Sequence, residues 1–286
     1  MFESPLRYPG GKGRLTRFVT ELIEANNLTG AHYAEAYAGG AGIAIGLLYL
    51  EYATHVHLND LDPAVYSFWR SVLDEPESLT RKVHETPLTL EERQRQKQIY
   101  RDPEASPLDL GFATFYLNRT NRSGIIHGGV IGGLEQAGTY KIDARFNRPE
   151  LCRRIEKVAS YSSRITLYDK DAADFIAEDL PKLPERSLVY LDPPYYSNGH
   201  RLYRNTYKHA DHVKIADLVA TIQQPWIVSY DHAPQICELY SGYRQKSFGL
   251  GYSANARYEG TEVMVFADGI MVPDEVRPWR GFATSA

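Results

Sequence analysis

Leu188-Val189-Tyr190-Leu191 runs straight into Asp192-Pro193-Pro194-Tyr195-Tyr196, and no other stretch limits the fold of this chain so tightly. A short apolar run without polar alternation is predicted to be a strand buried on both faces, the habit of parallel sheets. Proline lacks an N–H and holds φ near about −65°, so strand pairing is predicted to stop at Asp192. The Asp192 carboxylate then stands at the carboxyl end of a strand, where open α/β sheets hold their ligands. The stiff turn sets the Tyr195 ring directly behind these acceptors. Such a site suits a planar amine, hydrogen-bonded to Asp192 and stacked on the ring. Taken alone, the tetrapeptide reads as readily as a strand-ending turn.

The flanking sequence repeats a strand–helix rhythm. Ser4 to Gly13 form a glycine-rich loop holding Tyr8, Gly10 and Lys12; the GxxxxGK[ST] spacing of a P-loop is absent. Lys12 is read as a mobile cation for a carboxylate or phosphate. An amphipathic helix is predicted over 15–28. A strand from His32 then feeds the turn Ala38-Gly39-Gly40-Ala41-Gly42 and a helix over 43–52, the way doubly wound folds hold nucleotide-like ligands. The glycines are packed more tightly than in a dinucleotide fingerprint, and Glu35 stands where a pyrophosphate would lie. A carboxylate there repels pyrophosphate and suits an ammonium, which favours S-adenosylmethionine over NAD.

The next strand, 55–60, ends in Asp60, placed to reach ribose hydroxyls, while Asp62 is read as the N-cap of a helix over 64–73. His55 and His57 are read as structural. Residues 74–100 are polar and helical, with 91–97 expected to be a solvated face. After an apolar helix over 108–118, the chain carries Asn118, Arg119, Asn121 and Arg122, and later Arg145 and Asn147. Arginine and asparagine at this density are what base-edge reading uses, although the same residues also serve glycine-rich turns. A helix over 151–160 and a strand over 164–168 lead to Asp171, read either as a contact to the adenine end of a cofactor or as a helix cap. Beyond Tyr196, Arg201 and Arg204 with interleaved tyrosines form a candidate phosphate-contacting loop. Strand 226–230, helices over 211–223 and 233–240, and strands over 243–248 and 261–267 around a loop complete the pattern.

Bulk properties narrow the class. A net charge of −4 argues against a basic coat protein for nucleic acid, although basic residues gather between Arg119 and Lys170 and acids between Asp74 and Asp109. Cys152 and Cys237 form no Cys/His cluster, so neither a zinc site nor a disulfide framework is expected. The opening residues lack a signal-peptide core, and the expected location is cytoplasmic.

In order, Tyr8 to Lys12, Glu35 to Gly42, Asn59-Asp60, Asn118 to Gly124, Asp171 and Asp192-Pro193-Pro194-Tyr195 resemble the Dam-type N6-adenine DNA methyltransferases over nearly the whole chain. The resemblance implies a Rossmann-like α/β methyltransferase fold dependent on S-adenosylmethionine, with 1–72 and 150–286 as catalytic domain and 73–149 as a helical target-recognition insertion. It implies that Tyr8, Gly10, Lys12, Glu35, Ala38, Gly39, Gly40, Asp60 and Asp171 line the cofactor pocket. Asp192, Pro193, Pro194 and Tyr195 would be catalytic, acting on an adenine flipped from double-stranded DNA. Asn118, Arg119, Asn121, Arg122, Arg145, Asn147, Arg201 and Arg204 would contact that DNA, and a cognate restriction endonuclease is left open as a partner. Methylation of cytosine N4 or of an RNA base, and a catalytically silent DNA-binding module, are the alternatives. An NAD oxidoreductase is disfavoured by the glycine spacing.

Overall fold

The computed structural model describes residues 4–7, 12–197, 207–252 and 258–273. The central element is a seven-stranded sheet of β1 (Ala31–Glu35), β2 (Ala53–Asn59), β3 (Ile165–Tyr168), β4 (Ser187–Leu191), β5 (Trp226–Asp231), β6 (Arg244–Tyr252) and β7 (Tyr258–Phe266), in the order β3-β2-β1-β4-β5-β7-β6. β1 pairs in parallel with β2 and β4, and β4 with β5; β7 runs antiparallel to both β5 and β6. This is a Rossmann-like α/β sheet in which β7 runs antiparallel to its neighbours. Strand order reverses between β1 and β4, so their carboxyl ends flank the crevice that such sheets use for ligands. Every residue of β4 is buried, as its unalternating apolar run requires.

The chain divides into two compact units, one of residues 1–2, 12–61 and 168–286, the other of residues 3–11 and 62–167. In the first, α1 (Thr16–Ala25) buries Phe18, Val19, Leu22 and Ile23, and turns its Arg17–Glu21 pair to solvent. Helix α2 (Gly42–Tyr49) is apolar on nearly every side and buries Ile43, Ala44, Ile45, Leu47 and Leu48.

The second unit holds α3 (Pro63–Asp74), α4 (Pro76–Glu85), α5 (Leu90–Arg101), α6 (Pro107–Thr120) and α7 (Arg148–Ala159). Asp62 caps α3, accepting from the Ala64 amide at 3.0 Å, as its sequence position suggested. Helix α3 packs against α6 and α7, and α3 and α7 both belong to this second unit. The unit is therefore larger than the 73–149 insertion expected from sequence, because the apolar faces of α3 and α7 are satisfied by α6 and α4. One expected face is different too. Within 91–97, Arg93 and Gln96 are buried, and Arg93 donates to the Asn121 side chain at 2.8 Å and the Gly128 carbonyl at 2.9 Å. Among the described residues, no helix is long and apolar enough to cross a membrane.

Candidate active site

At the carboxyl end of β4 the chain leaves the sheet through Asp192, whose side chain keeps 18% of its surface exposed. A directed chain of hydroxyls fixes it. Ser229 on β5 donates to Asp192 Oδ1 at 2.7 Å, so the Tyr190 hydroxyl, also 2.7 Å from Ser229, must donate to the serine. Lys12 Nζ lies 3.0 Å from Oδ1 and 3.2 Å from Oδ2 of the same carboxylate. Asp231, at the end of β5, takes the Tyr196 and Ser197 amides at 2.7 and 2.9 Å and so holds the turn that follows the prolines.

Lys12 is not the mobile loop cation expected from sequence. It sits in a short 3₁₀ turn (Lys12–Leu15), is buried, and also contacts the Tyr195 hydroxyl at 3.1 Å and Glu262 Oε2 at 3.3 Å. Burial alone would lower its pKa, yet Asp192, Tyr195 and Glu262 together hold the ammonium well above the ordinary lysine value. Tyr195 donates in turn to Glu262 Oε1 at 2.5 Å. Its ring is buried and carries the Lys12 ammonium 5.0 Å from the centroid, so a stacked base would need the ring's other face.

Glu262 is the residue that sequence reasoning missed. It sits on β7 at the head of the apolar run Val263 to Phe266, in register with Asp231 on β5 and Phe248 on β6. An acid inside such a strand is itself a signal, because a buried carboxyl needs a partner. Ser229 and Asp231 were missed likewise, and Asn59, noted beside Asp60 in the sequence, was given no role of its own. Asn59 is fully buried, donates to the Ala36 and Lys170 carbonyls and accepts from the Lys170 amide, each at 3.0 Å.

Across the switch point, β1 ends in Glu35, which is 4% exposed and accepts from the Ala44 amide of α2 at 3.1 Å. Burial pushes its carboxyl up to about 8; the Ala44 amide opposes that rise and the charge on Asp192 adds to it. The turn above it is tight. Ala38 donates to the Asn59 carbonyl at 2.8 Å, Gly39 to Asp60 Oδ2 at 2.7 Å, and Ala41 adopts φ 45°, a conformation L residues rarely take. A Cβ on Gly42 would stand 3.2 Å from the Gly13 Cα, so glycine there lets the 3₁₀ turn pass close by. Asp60 thus braces the glycine turn, and Asp171 caps α8 (Ala172–Asp174) by accepting from the Ala173 amide at 2.9 Å. Ala38, Gly39 and Gly40 form the turn itself. A buried carboxyl above its ordinary pKa favours a ligand that brings a positive charge, and the donor set fits a sulfonium carrying an ammonium better than a pyrophosphate.

The residues expected to read bases separate into two groups. Asn118 is buried and spends its amide on the Arg7 backbone, accepting at 2.8 Å and donating at 2.7 Å, and on the Gly124 carbonyl at 2.9 Å. Asn121 donates to the Ile125 and Ile126 carbonyls at 3.1 and 2.7 Å, and buried Arg119 donates to the Pro5 carbonyl. These three side chains fasten residues 4–7 and the turn after α6, so their polar atoms are not presented for base edges. Gly124, at φ 75°, is required there, since a Cβ would collide with the Arg7 carbonyl oxygen. Arg122 and Arg145 are exposed, the latter with its guanidinium 5.8 Å from the Tyr140 ring centroid, and Asn147 caps α7. Tyr8, Gly10, Arg201 and Arg204 lie outside the described residues.

Residues 8–252 match the family model of the D12 class N6 adenine-specific DNA methyltransferases. No curated protein matches the chain. Among solved structures, it is similar to a putative methyltransferase, yhhF, from Escherichia coli, with 9% identity, a TM-score of 0.35, and coverage of 88% of this chain and 86% of that one. It is also similar to the rRNA methyltransferase aviRa from Streptomyces viridochromogenes, with 15% identity, a TM-score of 0.39, and coverage of 88% and 83%.

Proposed function

Because this chain belongs to the D12 class of N6 adenine-specific DNA methyltransferases, we propose that it moves a methyl group from S-adenosylmethionine to N6 of an adenine in double-stranded DNA. The observation that carries the reading is the Asp192 carboxylate at the rim of β4, pinned by Ser229 and Lys12 yet still partly open to solvent. Adenine N6 delocalises its lone pair into the ring and is a poor nucleophile. Hydrogen bonds from its two N–H groups to Asp192 and to the Pro193 carbonyl favour a pyramidal nitrogen and free that lone pair. Ser229 and Lys12 fix the carboxylate beforehand, so no reorientation is needed as charge develops on the amine. When bound, the cofactor supplies an electrophilic methyl group on its sulfonium. Glu35, the glycine turn and Asp60 are the residues that would hold it.

The target amine is inaccessible inside a duplex, so the base is read as flipped out of the stack before reaction. In the helical unit, the exposed cations Arg122 and Arg145 are read as phosphate contacts.

The test is mass spectrometry of nucleosides after incubating the protein with S-adenosylmethionine and adenine-unmethylated DNA. N6-methyladenine is the expected product; N4-methylcytosine alone, or no modified base, overturns the reading. Asp192→Ala is expected to slow methylation by about 10³-fold or more while calorimetric cofactor binding persists. An Asp192→Ala protein with full activity removes the residue from the chemistry.

A further inference from the structure

Resting on the methyl-transfer reading above, we propose that Glu262 is the final acceptor of the proton shed by the target amine, and that Lys12 carries it there from Asp192. The reaction leaves a proton to place. As N6 forms its bond to carbon, the carbon–sulfur bond breaks, its electron pair stays on sulfur, and the positive charge passes to the nitrogen. One N–H proton must then leave. Asp192 is the acceptor that the amine meets. Lys12 stands 3.0 Å from Asp192 and 3.3 Å from Glu262, so its ammonium bridges the two carboxylates.

Lys12 gives one proton to Glu262 and takes the transferred proton from Asp192. Asp192 and Lys12 end as they began, as carboxylate and ammonium. Glu262 ends as a neutral acid and the methylated amine is neutral. The step removes one positive charge from the sulfonium and one negative charge from Glu262, so the site loses a pair of opposite charges. In a poorly solvated pocket this direction is favourable, since neither charge needs compensation afterwards.

The surroundings suit storage of a proton. The Glu262 side chain is 1% exposed, so bulk water does not reach it directly, whereas the more open Asp192 offers the route out through Lys12 once product has left. Facing it are Lys12 from the 3₁₀ turn, Asp192 and Tyr195 after β4, Tyr190 on β4, and Asp231 in register on β5; its register partner on β6 is the apolar Phe248. Tyr195 donates to Glu262 Oε1, leaving Oε2 as the oxygen nearest Lys12. Burial pushes the Glu262 carboxyl up to about 7, against the pull of Lys12, which sets its proton affinity near that of neutral solution.

Single-turnover methylation of adenine-unmethylated duplex DNA, followed from pH 6 to 9 by nucleoside mass spectrometry, tests the relay. Wild-type protein is expected to speed up through about pH 7 and then level off, because only ionised Glu262 can accept. Glu262→Gln keeps the shape of the side chain and is expected to lower the plateau by about 10²-fold and to abolish the inflexion. Glu262→Asp is expected to restore the inflexion at reduced rate, which a purely packing role would not do. Melting curves report folding; if Glu262→Gln is unfolded, the Glu262→Asp profile decides, and its lack of an inflexion overturns the relay. A wild-type profile flat across this range, or a Glu262→Gln profile matching it, overturns the relay while methylation itself stands. Wild-type protein that makes no N6-methyladenine overturns the parent reading and the relay with it.

Discussion

Glu35 and Lys12 show how burial decides what a charged side chain does. Lys12, surrounded by Asp192, Tyr195 and Glu262, is a fixed counter-ion (not a loop cation awaiting a phosphate). Glu35 is the reverse case, a carboxyl whose burial leaves it protonated over much of the neutral range. A cofactor bearing an ammonium should return it to the ionised form, so binding should expel a proton. At pH 7, titration calorimetry of S-adenosylmethionine in buffers of different ionisation enthalpy is expected to show release of about one proton. Glu35→Gln should bind more weakly and release none. Proton release unchanged in that variant assigns the proton to another group and removes Glu35 from the cofactor site.

At the scale of elements, legibility followed the reach of the interactions. β1 with its glycine turn, β4 with its prolines and the Asp62 cap depend on a few neighbouring residues, and each was readable from sequence. Glu262 was hidden, because its partners Lys12 and Tyr195 come from distant parts of the chain. The turn after α6 misled for a different reason. Asparagine and arginine serve buried backbone as well as they serve base edges, and composition does not distinguish the two. Asn118→Ala and Asn121→Ala are therefore expected to cost about 1–3 kcal/mol each, seen in denaturant unfolding, by stranding buried backbone groups. The folded fraction of each should methylate the same sites as wild type; altered site choice would restore these residues to base reading. Arg145→Ala should leave stability unchanged and lower the slope of log binding constant against log salt by about 1. An unaltered slope takes Arg145 off the DNA.

For the whole molecule, the individual strands were legible but their order was not, because the placing of β7 between β5 and β6 is a long-range outcome. Nor did sequence show that the sheet would close around two acids, Glu35 and Glu262, with pKa values raised to about 8 and about 7. Both bind a proton in the folded state at pH values where the unfolded chain, near its ordinary 4.5, has lost it. Their contribution to stability is thus complete below about pH 4.5 and declines as pH rises through 7 and 8. His57 acts with the opposite slope, because burial first, and then His55 and His32, lower it to about 3 from 6.5. Its contribution is present above pH 6.5 and is lost as pH falls. Above pH 6.5 the two acids dominate, so the ligand-free protein should melt at a lower temperature at pH 8.5 than at pH 6.5. Glu35→Gln should flatten this decline, and so should saturating S-adenosylmethionine, since either removes the cost of an uncompensated carboxylate. Thermal melts across that range, with and without cofactor, make the comparison. A melting temperature that stays level or climbs from pH 6.5 to 8.5 would show that the Glu35 carboxyl already has a counter-charge in the ligand-free fold, as Glu262 has in Lys12, and the case for a cation-seeking pocket at Glu35 would end there.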